Sequence, residues 1–182
     1  MNIVETSLPG VLLIEPRVFG DARGFFFESF HQERYAKAGI TQPFVQDNVS
    51  RSAKGTLRGL HFQEPKGQGK LVFVTQGSVF DVVVDVRKGS PSFGESFGVE
   101  LSDENHKQLW VPAGFAHGFC VTSDLADFAY KCTSYYAPEH ERAILWNDPA
   151  LAIAWPASVP TLSPKDAAAP LLRDAPLLPS MP

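Results

Sequence analysis

Long apolar runs are missing from this 182-residue chain, and so is any excess of basic charge. Without the first, no segment is long enough to cross a bilayer as a helix. Without the second, at a formal net charge of −4, there is no basic field to draw the protein to DNA or RNA. A small anion can still be held by local arginines. Only two cysteines occur, Cys120 and Cys132, and they form no CxxC pair, so they read as buried, reduced thiols of a cytoplasmic protein. The first six residues lack the basic start and apolar stretch of a secretory signal, which again sets the expected location as cytoplasmic. The glycosylation pattern Asn48-Val49-Ser50 then carries no weight. There is no GxGxxG, no Walker A and no nucleophile elbow, so any phosphate has to be held by side chains. No repeat, heptad or shift in composition marks a second domain. One domain, 1–182, is expected.

What the chain does have is aromatic and apolar residues in short runs. Fourteen phenylalanines in strand-like contexts, within 44% apolar residues, point to β structure around an aromatic interior. Strands are predicted over 11–15 and 25–28, with a turn-rich loop, 20–24, before the second. Ser29 opens a short helix as a capping box with Gln32, and Gly39 closes it. From 44 to about 136 the chain reads as short strands broken by Gly, Pro and Asx turns, most clearly at Gln76-Gly77-Ser78 and Lys88-Gly89-Ser90-Pro91. Two late strands, 144–146 and 153–155, are expected around a turn at Asn147-Asp148-Pro149. After 155 prolines recur, so the chain can hold at most a short helix, from 164 to about 172 with Ser163 as N-cap, and the tail from about 173 is extended. Many short strands with regular turns imply a sandwich or barrel.

Two histidine segments carry the chemistry: Arg58-Gly59-Leu60-His61-Phe62-Gln63 and Pro112-Ala113-Gly114-Phe115-Ala116-His117-Gly118. Flanking a strand-like run at 79–85, they look like the two half-motifs of a cupin-type jelly roll, whose strands usually bring histidines inward to a metal. The metal set here is incomplete. Gln63 stands where a second histidine is expected, and Lys70 follows in place of a carboxylate. A cation at that place suits an anion or a developing negative charge, so the site reads as one for proton chemistry, with no metal and no cofactor. Alternation sends Lys70 inward with Val72 and Val74, Tyr130 inward with Phe128 and Cys132, and His61 opposite to Leu60 and Phe62. Singly, a strand histidine is usually a satisfied core or rim residue, a strand tyrosine a packed ring, and His117 a turn residue. Burying an unpaired lysine is costly, which makes Lys70 the hardest to dismiss. As a set they favour function. Arg23, Glu28 and Arg58 have the ordinary reading of solvated charges, Gln46-Asp47-Asn48 that of a polar turn, and Asp166 that of a first-turn carboxylate favoured by the helix dipole.

On these residues the chain resembles the dTDP-4-dehydrorhamnose 3,5-epimerase family. The matching segments run nearly end to end: 18–28, 44–48, 57–63, 68–72, 79–82, 108–112, 114–119, 130–131 and 163–170, with RGLHFQ and GFAHGF the most specific. The resemblance implies an all-β, cupin-type jelly-roll barrel with a few short peripheral helices. It implies an isomerase of dTDP-L-rhamnose biosynthesis that inverts C3 and C5 of dTDP-4-dehydro-6-deoxy-D-glucose without metal or cofactor. By it His61 is the general base paired with Asp166, Tyr130 the general acid, and Lys70 the group that stabilises the enolate oxygen. Arg23, Glu28, Gln46, Asp47, Asn48, Arg58, His117, Glu141 and Lys165 match positions that contact the nucleotide-sugar, and Tyr135 a tyrosine that stacks near the thymine. A homodimer is implied in which an N-terminal strand joins the second copy's sheet and carries residues such as Arg23 and Glu28 into its site. One departure is Phe73, where the family often has arginine; alternation puts it on the face opposite Lys70. Three rivals remain: an epimerase of the same fold acting at C3 or C5 only, a metal-dependent cupin using His61 and His117, and a non-catalytic sugar-binding module.

Overall fold

The computed structural model describes residues 1–181. Its first strands are β1 (Asn2–Glu5), β2 (Leu12–Glu15), β3 (Val18–Asp21) and β4 (Gly24–Phe27), followed by helix α1 (Gln32–Lys37). The central run holds β5 (Gln46–Ala53), β6 (Leu57–Gln63), β7 (Lys70–Gln76), β8 (Ser78–Asp85), β9 (Ser96–Ser102), β10 (Gln108–Val111), β11 (Phe115–Val121) and β12 (Leu125–Cys132). Strand β13 (Glu141–Ala143) and helix α2 (Pro164–Ala167) complete the set. The strands form a six-stranded sheet, β1-β2-β10-β7-β12-β5, and a five-stranded sheet, β13-β6-β11-β8-β9, with β3 and β4 apart as a hairpin. This is the expected jelly roll with short peripheral helices.

Alternation along the strands divides the apolar residues among three layers. Val72, Val74, Val79, Val83, Phe115, Phe119 and Phe128 face one another between the sheets. Their strand neighbours Leu60, Phe62, Val82 and Val84 point the other way and are covered by the C-terminal segment through Ile144, Leu151, Leu172 and Leu178. The outer face of the six-stranded sheet, with Ile14, Leu71 and Trp110, is covered by Tyr35 of α1 and by Ile40. Among the described residues no helix is long and apolar enough to cross a membrane.

Five local expectations are corrected. The first is the loop at 20–24, which is the tip of the β3–β4 hairpin. The second is the start of α1: it begins after His31, not Ser29, and makes no side-chain cap. The Ser29 carbonyl instead accepts from Tyr35 Oη at 3.2 Å and Gln108 Nε2 at 2.8 Å. Gly39 does close the helix, at φ +91°, its N–H donating to Ala36 O. The third concerns 144–146 and 153–155, which are not strands. Glu141–Ala143 pairs with β6 and Ile144 still exchanges backbone hydrogen bonds with Leu60; beyond Ile144 the chain leaves the sheet, Leu145 N–H donating to Pro170 O at 2.7 Å. Their apolar residues cover the sheet's outer face instead, and the Trp155 indole donates to Trp146 O at 2.8 Å. The fourth is the length of α2, which stops at Ala167, short of Pro170. Its cap is the predicted one, Ser163 Oγ accepting from Asp166 N–H at 3.1 Å. The fifth is the tail, expected to be extended from about 173: it begins with a 3-10 turn, Leu172–Asp174, and beyond it is docked, Lys88 N–H donating to Pro179 O and Met181 N–H to Lys88 O.

Candidate active site

A cleft of about 500 Å³ opens between the sheets. Strand β6 supplies its floor by a break in alternation. His61 stands opposite His117 on β11, but Arg58 stands opposite Phe119, so the register slips by one residue between them. The bulge lets Arg58 and His61 both face the cleft, where strict alternation sends them to opposite faces. Gly59 makes it possible: its φ is +139°, and a Cβ there would lie 2.5 Å from Gly118 Cα.

Helix α2 closes one side. Its Ser163 cap turns the first turn so that Asp166, only 3% exposed, meets His61, with Oδ1 2.6 Å from Nε2. Burial pushes the Asp166 carboxyl up, but hydrogen bonds from His61, Ser163 and the Gly59 backbone outweigh it and hold the group below the usual carboxylate range. An ionised carboxylate accepts only, so Nε2 carries a proton, and in the neutral imidazole the lone pair is at Nδ1.

Lys70 and Tyr130 enter from the other sheet, on β7 and β12. Burial depresses the Lys70 ammonium, opposed by the negative potential of Cys132, Glu141 and Asp81. Burial raises the Tyr130 phenol, so it keeps its proton at neutral pH. Arg58 reaches across to β5, Nε donating to Ser52 Oγ at 3.1 Å. At the mouth, Glu141 accepts from Tyr136 Oη at 2.6 Å and pairs with Lys165.

His61, Lys70, Tyr130, Asp166, Arg58, His117, Glu141 and Lys165 therefore share one cleft. Gln46 and Asn48 lie on the face of β5 that continues its wall, Gln46 Oε1 accepting Tyr136 N–H at 2.9 Å. Four expected contacts are placed elsewhere within this chain. Asp47 faces out and pairs with Lys131 at 2.8 Å. Arg23 projects from the hairpin, 89% exposed, against Asp21, and Glu28 pairs with Arg34. Tyr135 is 72% exposed, while its neighbour Tyr136 lines the cleft.

Gln63, at the cupin ligand position, serves as a loop anchor. It donates to Lys66 O and Tyr135 O and accepts Ala137 N–H. Each cleft histidine turns Nε2 to its own carboxylate, and among the described residues no three His, Cys, Asp or Glu side chains converge as a metal set. Sequence reasoning does not single out His117's carboxylate, Asp81, although alternation with Val79 and Val83 marks it as inward. Phe73 lies next to Leu71 and Gln108 on the six-stranded sheet, opposite in phase to Lys70. Cys120 and Cys132 are buried and unpaired. Together the cleft holds an oriented base, a protonated phenol and an ammonium, the set needed to take a proton from an acidified carbon, hold the resulting oxyanion and return a proton.

Residues 5–174 match the family described as dTDP-4-dehydrorhamnose 3,5-epimerase. The Pseudomonas aeruginosa protein of that name is 56% identical over 181 residues, covering 98% of this chain and 100% of that protein. A crystal structure of dTDP-6-deoxy-D-glucose-3,5-epimerase from Legionella pneumophila, in complex with dTDP-4-keto-L-rhamnose, aligns with a TM-score of 0.96 at 58% identity. It covers 100% of this chain and 98% of that one. A 3'-monoepimerase from Streptomyces bikiniensis, in complex with dTDP-quinovose, aligns with a TM-score of 0.88 at 39% identity, covering 92% and 86%.

Proposed function

The chain belongs to the dTDP-4-dehydrorhamnose 3,5-epimerase family, and from that premise we propose that it inverts C3 and C5 of dTDP-4-dehydro-6-deoxy-D-glucose, giving dTDP-4-dehydro-L-rhamnose for dTDP-L-rhamnose biosynthesis. One observation carries the reading: the His61–Asp166 pair, at 2.6 Å, opens into the same cleft as Tyr130 and Lys70.

The C4 carbonyl acidifies the protons on both its neighbours. His61 Nδ1 takes one of them, the C–H electrons form the enolate, and the charge at O4 falls to the Lys70 ammonium. Tyr130 Oη returns a proton to the carbon from the opposite face, the carbonyl re-forms, and the centre is inverted. His61 then gives its proton to solvent and Tyr130 takes one up, and with the pair reset the same steps serve the second carbon. Positioned acid–base groups give about 10²–10⁴-fold each, and a fixed charge at the oxyanion about as much again. The route draws on no metal and no nicotinamide. Arg58, held by Ser52, suits the diphosphate, and His117, Glu141, Lys165, Gln46 and Asn48 suit the rest of the nucleotide-sugar. Tyr136 suits the thymine, in place of Tyr135.

Arg23 and Glu28 serve a second copy's cleft in this reading. The hairpin that carries Arg23 stands apart from both sheets with Phe19, Phe25 and Phe26 51%, 61% and 69% exposed, which suits a homodimer with strand exchange. Asp47 on its outer face suits contact with that copy. The chain acts as one domain, in the cytoplasm, where free thiols persist.

Proton NMR of the metal-stripped protein with dTDP-4-keto-6-deoxyglucose in D₂O tests this. Deuterium at both C3 and C5, lost in His61→Ala, is the expected result. Label at C3 alone would make the protein a single-centre epimerase. Exchange restored only by a divalent metal would return His61 and His117 to the role of metal ligands.

A further inference from the structure

The cleft contains a second histidine–carboxylate pair. Asp81 lies in the middle of β8, wholly buried, in phase with Val79 and Val83, which are also wholly buried. Such a place suits an apolar side chain, and a carboxylate there needs a compensating reason. Its only hydrogen-bond partner among the described residues is His117, whose Nε2 is 2.9 Å from both carboxylate oxygens. His117 is itself 7% exposed and lines the cleft. Phe128 stacks on its ring, with centroids 6.0 Å apart and planes at 25°, and Phe119 stacks on Phe128 in turn. The imidazole is fixed on its face by aromatic packing and on one edge by Asp81.

We propose that Asp81 is a positioning residue: it fixes His117 with Nε2–H on the carboxylate and presents Nδ1 to the substrate as a hydrogen-bond acceptor. The equal distances to the two oxygens fit an N–H shared between the arms of an ionised carboxylate; a protonated carboxyl would bond through one oxygen. Burial pushes the Asp81 carboxyl up, while His117 and Lys70 oppose the shift. With Nε2 protonated, the group open to the cleft is a lone pair, and the donors that a 4-keto-6-deoxyhexose ring offers are its hydroxyls. His117 therefore reads a sugar hydroxyl, and Asp81 sets the tautomer that can do so. His61 and His117 then work with the same polarity, each with Nε2 on a carboxylate and Nδ1 free, one as base and one as acceptor.

The assignment of the ligand rests on the epimerase reading, whereas the tautomer does not, and two measurements separate them. In the substrate-free wild-type protein, nitrogen-15 NMR of His117 should show Nε2 protonated and Nδ1 bare at neutral pH. A bare Nε2 would overturn the proposal whatever the enzyme does. The second is a double-mutant cycle on kcat/KM with Asp81→Asn, His117→Gln and the pair. Each single change should lose about tenfold or more, and the double little beyond the worse single, because Asp81 acts through His117. Losses that multiply, or an Asp81→Asn variant as active as wild type, would overturn it. If Asp81→Asn does not fold, the wild-type spectrum still decides. Deuterium exchange by the wild-type enzyme tests the epimerase reading by itself.

Discussion

At the residue scale, the chemistry divides between groups that move a proton and one that must not lose its own. Removing the base stops both exchange and inversion, whereas removing the acid stops only inversion. Tyr130→Phe should therefore still wash deuterium into the substrate from D₂O while product formation falls by about 10²–10⁴-fold. His61→Asn should lose both signals. Equal loss of exchange in the two variants would remove Tyr130 from the acid role. If the Lys70 ammonium holds the oxyanion as proposed, its loss should set the alkaline side of the pH profile. Burial holds the ammonium below the usual lysine range, so a limb set by Lys70 should fall at lower pH than an exposed lysine would give. Activity is then present below the depressed lysine pKa and lost as pH rises through it. An arginine keeps its charge throughout, so Lys70→Arg should lower kcat, because the guanidinium fits the site poorly, yet carry the alkaline limb to higher pH. A pH–rate profile with an unmoved limb would assign the limb to another group.

At the scale of elements, β6 and α2 place the dyad, and both depend on small details. A methyl at Gly59 would lie 2.5 Å from Gly118 Cα and 3.0 Å from His117 O, both backbone, and φ is +139°. Gly59→Ala should push β6 from β11, carry Arg58 and His61 out of line, and lower both the melting temperature and kcat/KM, the latter by tenfold or more for a displacement of about 1 Å. Gly89 gives the contrast: at φ +84° with nothing within 4 Å, alanine there should cost only backbone strain, about 1–2 kcal/mol, with kcat/KM unchanged. Thermal melts and steady-state kinetics on the two variants check this. These elements also show what the sequence can disclose. Lys70, Tyr130 and His61 are legible as inward because their strand neighbours are apolar in a clear period of two. Arg58 is not, since a bulge resets the phase and leaves no mark beyond a glycine. The apolar runs at 144–146 and 153–155 look the same whether they pair in a sheet or cover one, and the partner that decides, Pro170, is distant in sequence. Ser163 was legible because a cap is local; Ser29 looks like one but its carbonyl is taken by Tyr35 and Gln108.

At the scale of the whole molecule, the arrangement assigns residues of one chain to two places. The cleft contains the His61–Asp166 pair, Tyr130 and Lys70, but Arg23 projects from a hairpin that joins neither sheet. Its exposed phenylalanines are a poor fit to water and a good fit to an apolar partner surface. If the hairpin completes the cleft of a second copy, each active site combines a base from one chain with an arm from the other. Two inactive proteins should then rescue each other. An Arg23→Ala homodimer has the base but a defective arm; a His61→Ala homodimer has the arm but no base. Random exchange of subunits at equal concentrations gives heterodimers as about half of all dimers, each with one intact site of two, so about a quarter of wild-type activity should return. The mixture is best made by unfolding and refolding the two together, with a mixture of the folded homodimers as control. An arm that served its own chain's cleft would leave every site defective, and co-refolding would restore nothing. The recovered activity thus separates exchange between two copies from action within one chain, and a protein that runs as a monomer in sedimentation would exclude the exchange before any mixing.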